Sequence, residues 1–192
     1  MKEYVITVDG GTTNTRVALW NKKKELLAFE KLEIGAKDTE GEGNNIRLKN
    51  AVRSMLEKVM KSRNITYEDV ESIYACGMLT SGAGLVEIPH LSAPADLTDY
   101  VRGVKEIEFP EIAPIPISFI PGMKNLSGDM EAGQLEMMDI MRGEEAEVLA
   151  LMEGCAAKPA LFVLPGSHTK FVSVNQEGKM TGCLTSMAGE LL

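Results

Sequence analysis

The chain has 192 residues, of which 44% are hydrophobic and 25% charged, a composition typical of a folded globular protein. Its formal net charge of −8 disfavours nucleic acid and anionic membrane surfaces as main partners, because both require a basic face. No apolar stretch resembles a signal segment or a membrane span, so we expect a cytoplasmic protein.

The first predicted element is a β-hairpin, because β-branched runs at residues 5–8 and 15–20 flank a glycine-containing turn. Gly11 lets a phosphate approach the backbone, and successive N–H groups of the turn can form an anion nest. Asp9 ends the first strand, where it could hold a hydrated Mg²⁺ that bridges phosphates. The alternative is an ordinary glycine hairpin with a solvated tip.

The next elements predict the beginning of a ribonuclease-H-like α/β domain. Residues 26–34 have strand composition and would complete an antiparallel meander, and the acidic segment 35–43 is predicted as a loop. Apolar residues then recur with helical spacing over residues 45–64. A central strand is predicted at residues 73–76, ending at Gly77.

The middle of the chain is predicted to contain a long loop, an edge strand and several helices. The loop at residues 77–94 is rich in Gly, Ser and Pro, and long loops in compact domains are often functional. Residues 115–120 are predicted as an edge strand, because Pro116 cannot donate to a strand ladder. Helices are predicted at residues 96–104, 130–141 and 144–152.

The last part of the chain repeats the pattern of the first hairpin. Gly166 and Ser167 take the positions that Gly11 and Thr12 hold in the first turn. Strands are predicted at residues 161–164, 171–174 and 180–184, and a helix is predicted to begin at Ser186. The duplication favours two phosphate-binding turns that face each other across a cleft.

Four passages carry a resemblance to a known family: Asp9–Arg16; Gly77-Met78 with Glu87, Pro89 and Pro94; Met141–Glu145; and Leu164–Lys170 followed by Met187–Leu191. They resemble the 2-dehydro-3-deoxygalactonokinase family of the sugar kinase, heat-shock protein and actin superfamily. The resemblance implies an α/β, ribonuclease-H-like actin-type ATPase fold. It implies a complete N-terminal domain at residues 1–140 with a substrate loop at 77–95, and a linker helix with an incomplete second domain at 141–192.

The resemblance implies an ATP-dependent kinase that phosphorylates 2-dehydro-3-deoxygalactonate or a related keto-deoxy sugar acid with the help of Mg²⁺. ATP and the sugar acid are then the expected ligands, and a homodimer is compatible with them. Asp9 is the expected metal ligand. The nucleotide is expected to contact Asp9, Gly10, Gly11, Thr12, Thr13, Asn14, Gly166, Ser167, His168 and Thr169. The sugar acid is expected to contact Arg16, Ser81, Arg142 and Lys170, although Arg142 and Lys170 could equally be ordinary surface charges.

A carboxylate base is expected at the start of the helix after Gly143, where the helix dipole would keep it ionised. Glu144 is the first choice, Glu145 the second and Asp129 the third. The alternative is that these acidic residues only favour the first turn of the helix.

Three departures from the family pattern leave a second function open. Gly10 stands where the family usually has Trp, and residues 81–85 replace a pattern that carries Arg, Gln and Trp. The chain also ends inside the helix that follows the second hairpin, so we expect a fragment or a truncated, inactive product. The alternative function is a non-catalytic domain of the same fold that senses a nucleotide or other ligand, or an assembly module.

Overall fold

The computed structural model describes residues 2–125, 137–166, 168–187 and 189. The strands are β1 (Tyr4–Gly10), β2 (Thr15–Asn21), β3 (Leu26–Leu32), β4 (Val70–Gly77), β5 (Leu91–Ser92), β6 (Lys105–Ile107), β7 (Ile117–Phe119), β8 (Met123–Lys124), β9 (Ile140–Met141), β10 (Ala160–Leu164), β11 (Thr169–Val174) and β12 (Met180–Ser186). The helices are α1 (Ala36–Glu42), α2 (Ile46–Lys61), α3 (Leu97–Gly103) and α4 (Glu144–Gly154), and a 3-10 turn covers Met78–Thr80.

These elements form two compact units. Unit 1 comprises Met1–Ile88 and Val104–Ile120, and unit 2 comprises Pro89–Gly103 and Pro121–Leu192. The predicted domain division at residue 140 stays a prediction. None of the helices in the described ranges has the length and apolar character needed to cross a membrane.

Unit 1 is built on a six-stranded sheet in the order β3-β2-β1-β4-β7-β6. The strands β1, β2 and β3 form an antiparallel meander, and β4 runs parallel to β1 on its other side. This arrangement confirms the predicted first hairpin, the meander and the central position of the strand that ends at Gly77. Parallel pairing of β1 and β4 brings their carboxyl ends to the same edge of the sheet.

Helix α2 covers the meander, as its apolar spacing predicts. Leu48, Val52, Met55, Leu56 and Val59 are all buried, and they recur every three or four residues on the face toward β2 and β3. They join Ile6, Leu19, Ile73 and Phe119 in one apolar core. Burial of this face stabilises the helix more than its intrinsic propensity does.

The predicted loop over residues 35–43 is wrong, because residues 36–42 form helix α1. The Asp38 carboxylate accepts a hydrogen bond of 2.9 Å from the Gly35 N–H at the start of the helix. Gly43, with φ of 66°, ends it in the left-handed conformation that favours glycine. Both ends of α1 therefore have recognisable caps, although no apolar periodicity marks the segment.

The predicted edge strand at residues 115–120 is also wrong, because β7 lies between β4 and β6 in the sheet. Pro116 precedes the strand, so the N–H that it lacks is not needed for either ladder. The edge is β6, which the sequence did not indicate.

Unit 2 contains the second meander, the antiparallel sheet β10-β11-β12, and a small sheet of β5, β8 and β9. The predicted hairpin, α3 and α4 are confirmed. Ile140 and Met141 are a strand rather than the end of the helix predicted at 130–141, and Ser186 ends β12 rather than starting a helix. Asp129 and the rest of 126–136 lie outside the described residues.

Candidate functional site

The turn between β1 and β2 is closed by a hydrogen bond of 2.7 Å from the Gly11 N–H to the Asn14 carbonyl. Two carbonyls of the turn accept hydrogen bonds from the start of α1. Ala36 N–H donates to Gly11 O at 3.2 Å, and Lys37 N–H donates to Thr12 O at 2.9 Å. Helix α1 therefore fixes the direction in which the turn presents its peptide groups.

The N–H groups of Thr12 and Thr13 point away from α1. In a trans peptide the N–H lies opposite the carbonyl, and the carbonyls of these two peptides are the ones bound to α1. Within the described ranges, neither N–H donates a hydrogen bond to the chain. Both residues are exposed. Two successive N–H groups free to donate are the basic arrangement of an anion nest.

Gly35 allows α1 to approach the turn this closely. A Cβ at Gly35 would lie 2.5 Å from Thr12 O and 2.6 Å from Gly11 O. The φ of Gly35 is −150°, which any residue adopts, so the restriction is steric and not conformational. This residue was not identified from the sequence, since nothing local distinguishes it from any other loop glycine.

We expect Gly35→Ala to displace the turn and to lower the free energy of unfolding by about 1–3 kcal/mol, because the backbone atoms it meets cannot rotate away. Gly41→Ala in α1 is the matched control, since a Cβ there meets nothing within 4 Å. Urea unfolding of both variants measures the effect. Equal stability of the two variants would contradict the steric role of Gly35.

Asp9 and Arg16 face each other across β1 and β2. Arg16 Nη1 donates to Asp9 Oδ2 at 2.7 Å, and each side chain is 45% exposed. The described residues contain no group of three or more His, Cys, Asp or Glu that could hold a metal ion. A single accessible carboxylate nevertheless fits Mg²⁺, which usually keeps several waters and takes phosphate oxygens as ligands.

The space beside Gly10, where a side chain at this position would lie, is filled by Leu79. A Cβ at Gly10 would lie 2.4 Å from Leu79 Cγ, and Leu79 is buried. A larger residue at position 10 therefore requires a different residue at position 79 or a different position for the Leu79 side chain.

The loop that follows the 3-10 turn is held by side-chain hydrogen bonds. Ser81 donates its hydroxyl to Met78 O at 2.8 Å, and Asn45 donates its amide to the carbonyls of Gly84 and Leu85.

In unit 2 the segment before α4 folds back on the first two glutamates of the helix. Gly143 has φ of 110°, in the region that favours glycine. Glu144 Oε2 accepts the Arg142 N–H at 3.0 Å, and Glu145 Oε1 accepts the Gly143 N–H at 2.7 Å. The two carboxylates therefore satisfy backbone donors at the start of α4.

Glu144 and Glu145 differ in burial. Glu145 is 0% exposed, and within the described ranges its Oε2 has no hydrogen-bond partner. Burial raises the pKa of Glu145 to about 8, although the hydrogen bond from Gly143 acts in the opposite direction. Glu145 is therefore mainly protonated at neutral pH, whereas Glu144 is partly exposed.

Two of the basic residues predicted to contact the sugar acid, Arg142 and Lys170, have partners inside unit 2. Lys170 is 8% exposed, and its ammonium donates to Ile140 O at 2.6 Å and to the Thr185 hydroxyl, with Asp139 Oδ1 at 3.6 Å. This network favours a structural role for Lys170. Arg142 Nη2 lies 3.4 Å from His90 Nδ1.

The second turn connects β10 to β11. Gly166 and His168 are exposed, and Thr169 donates its hydroxyl to Gly166 O at 3.2 Å. Ser167 lies outside the described residues. The local arrangement is compatible with ligand contact at the turn, and the roles of these residues stay predictions.

Comparisons with known proteins agree with the sequence pattern. A family model described as 2-keto-3-deoxy-galactonokinase matches residues 9–192. A curated relative from Rhizobium meliloti (strain 1021), named probable 2-dehydro-3-deoxygalactonokinase DgoK1, is 24% identical over 188 residues, which are 98% of this chain and 55% of the relative. The chain thus spans about half the length of the curated relative that it matches.

Solved structures show the same fold. A Sinorhizobium meliloti protein described as a candidate 2-dehydro-3-deoxygalactonokinase has a TM-score of 0.75 at 23% identity, over 97% of this chain and 55% of that chain. An Aquifex aeolicus Ppx/GppA phosphatase has a TM-score of 0.53 at 10% identity, over 98% and 53% of the two chains. These likenesses confirm the expected ribonuclease-H-like, actin-type ATPase fold.

Proposed function

The chain belongs to the 2-keto-3-deoxy-galactonokinase family, and on that premise we propose that its protein is an ATP-dependent sugar-acid kinase. The proposed acceptor is 2-dehydro-3-deoxygalactonate or a related keto-deoxy sugar acid. Besides family membership, the observation that carries the proposal is the first turn, where two free N–H groups follow the accessible carboxylate of Asp9. Phosphoryl transfer depends on this kind of phosphate positioning more than on covalent help from the protein.

In the proposed mechanism the first turn binds phosphate oxygens of ATP. The N–H groups of Thr12 and Thr13 donate to these oxygens, and the side chains of Thr13 and Asn14 border the same turn. Asp9 would hold a hydrated Mg²⁺, which neutralises phosphate charge when bound. Arg16 then has an alternative anionic partner in the phosphates or the acceptor. Gly11 is partly exposed and keeps the backbone of the turn accessible, whereas Gly10 is buried against Leu79.

The proposed base is Glu144. A base must contact the acceptor hydroxyl and must be ionised before it takes the proton. Glu145 meets neither requirement at neutral pH, because it is fully buried and its pKa is raised to about 8. Glu144 is partly exposed at the positive end of α4, where the helix dipole favours a carboxylate.

The second turn and the segment before α4 supply the remaining proposed contacts. The exposed residues Gly166 and His168, the partly exposed Thr169, and Ser167 are proposed to contact the nucleotide. Arg142 is proposed to contact the sugar acid. The contact of 3.4 Å between Arg142 Nη2 and His90 Nδ1 would orient its guanidinium. Ser81 and Lys170 remain weaker candidates, because both side chains already have partners within their own units.

We expect Asp9→Asn to weaken nucleotide binding by about tenfold or more when Mg²⁺ is present and to change it little in EDTA, because only the metal-dependent contact is lost. Calorimetry with ATP under both conditions measures this difference. The control is Glu71→Gln, which also removes a negative charge. Glu71 lies near the start of β4, at the end of the strand far from Gly77. Unchanged affinity with Mg²⁺ would contradict the metal role of Asp9.

The function itself is tested by ATP consumption with the protein expressed from its complete reading frame. The acceptors are 2-keto-3-deoxy sugar acids and simple aldonates. Turnover that depends on a keto-deoxy sugar acid supports the kinase proposal. ATP binding without turnover on any acceptor would favour a non-catalytic nucleotide-sensing or assembly role, to which the altered segment 81–85 already points.

A further inference from the structure

Lys170 is the first residue after the second turn that pairs with the strand before that turn, where it lies opposite Leu164. Only 8% of the residue is exposed, so its ammonium lies inside unit 2. A buried ammonium requires protein partners for its charge and its donors, because little water reaches it there. These partners identify the segments that Lys170 holds together.

The Lys170 ammonium links β11 to the segment before α4. Its Nζ donates to Ile140 O at 2.6 Å, and Ile140 is the first residue of β9. Two residues separate the end of β9 from Glu144, which begins α4. One hydrogen bond therefore connects the strand that leaves the second turn with the strand that leads to the proposed base.

Asp139 and Thr185 complete the network around the ammonium. The Thr185 hydroxyl accepts from Lys170 and donates to Asp139 Oδ1 at 2.8 Å, and the Thr185 backbone N–H donates to Asp139 Oδ2. The Asp139 carboxylate lies 3.6 Å from the ammonium and balances its charge. Asp139 directly precedes β9, and Thr185 pairs with Lys170 in β12. The network thus fixes β9 against both β11 and β12.

The first meander has a comparable hydrogen bond at the equivalent position. Thr15 is the first residue after the first turn that pairs with the strand before it, opposite Gly10, and it is 0% exposed. Its hydroxyl donates to Ile34 O at 2.7 Å, in the segment that leads into α1. In each unit, a buried side chain next to the turn therefore holds a carbonyl that shortly precedes a helix.

We propose that Lys170 is a positioning residue, which holds the start of α4, and with it the Glu144 carboxylate, in a fixed place relative to the second turn. The inference rests on the proposed kinase function and adds to it a residue that acts through β9 without contacting the sugar acid. A displacement of about 1 Å in a reacting group can lower a rate about 100-fold, so a hydrogen bond remote from the substrates can affect transfer.

The test compares Lys170→Met with Lys179→Met in protein from the complete reading frame. Lys179 is the matched control, because it also forms an ion pair, with Asp96 at 2.8 Å, but lies in the connection between β11 and β12, away from the second turn. We expect Lys170→Met to lower kcat about 100-fold and to leave the KM for the acceptor within about twofold. Lys179→Met should change neither value.

A double variant separates the positioning role from folding. Lys170→Met alone removes the cation beside the buried Asp139 carboxylate, which destabilises the fold. Lys170→Met with Asp139→Asn removes both charges and should recover stability in urea unfolding. Its kcat should stay low, because the donor to Ile140 O is still missing. The double variant also keeps the test decisive if Lys170→Met does not fold.

Recovery of kcat together with stability in the double variant would overturn the proposal and leave Lys170 a role in folding alone. A raised KM for the acceptor with unchanged kcat would overturn it in favour of a contact with the sugar acid.

Amide NMR shifts of the 192-residue chain separate this inference from the proposed function. Lys170→Met should shift the amides of Gly143 and Glu144, whereas Lys179→Met should not. Unchanged shifts in Lys170→Met would overturn the positioning role, whatever the activity. Absence of turnover by the unmodified protein on every acceptor, with the Gly143 and Glu144 shifts as expected, would count against the kinase and not against the link through β9.

Discussion

Replacing Glu144 with Gln is expected to reduce the rate of phosphoryl transfer by about 100-fold to 10,000-fold, the usual contribution of a general base. The amide cannot take the proton of the acceptor hydroxyl. It keeps an oxygen that can accept the Arg142 N–H, so the start of α4 should be preserved. The measurement is kcat with the best acceptor, using protein from the complete reading frame, alongside the Kd for ATP, which should not change.

Glu147→Gln is the control for that experiment, since Glu147 is an exposed residue in the same first turn of α4. It removes the same charge from the helix end without removing the proposed base. Retained turnover in Glu144→Gln would contradict the assignment of Glu144 as the general base. Equal losses in both variants would instead indicate that the glutamates act only through the stability of the helix.

The second large effect concerns Glu145 and the dependence of stability on pH. The pKa of this carboxyl is raised from 4.5 to about 8 in the folded chain by burial. Between these two values the unfolded chain has released the proton while the folded chain keeps it. The contribution of Glu145 to the free energy of unfolding is therefore fully present below pH 4.5. It decreases as the pH rises toward 8 and changes no further above that pH.

We expect Glu145→Gln to remove this pH dependence, because Gln resembles the protonated carboxyl in size and stays neutral. The variant should match the unmodified chain near pH 4.5, the ordinary pKa, and exceed it by a few kcal/mol above pH 8. Urea unfolding across this range provides the measurement. Parallel stability curves for the two proteins would show that Glu145 is not a buried neutral acid.

Glu145→Ala separates the packing role of Glu145 from its charge. It leaves a void and an unpaired Gly143 N–H, so we expect a loss of about 2–4 kcal/mol near pH 5, where the native carboxyl is protonated. If Glu145→Ala and Glu145→Gln were equally stable at that pH, the hydrogen bond to Gly143 would have no measurable role.

The two neighbouring glutamates thus have different proposed tasks. Glu145 holds the left-handed turn at Gly143 through a buried hydrogen bond. Glu144, one residue earlier, stays accessible for proton transfer. The sequence ranked them only by family pattern and helix position, because both satisfy the same local rule for acidic residues in a first turn. Which carboxyl is buried depends on the side of α4 that packs into unit 2.

Patterns with a clear period were sufficient to predict much of the fold. Alternating and β-branched runs predicted both meanders, apolar spacing predicted α2, and the Gly-Thr turn of the first hairpin lies where it was expected. These features depend on neighbours close in sequence and on one buried face. The same regularity, with a strand on either side of the turn, marks residues 9–16 as a candidate phosphate turn in the sequence alone.

Tertiary structure decided what local patterns do not encode. Helix α1 has seven residues and no apolar stripe, and it is held by hydrogen bonds to a turn more than 20 residues earlier in the chain. The interior position of β7 depends on its pairing with β4, and the burial of Lys170 depends on contacts with Asp139 and Thr185. Each outcome follows from contacts between distant segments. Such contacts determine burial and pairing, and no periodicity within one segment contains them.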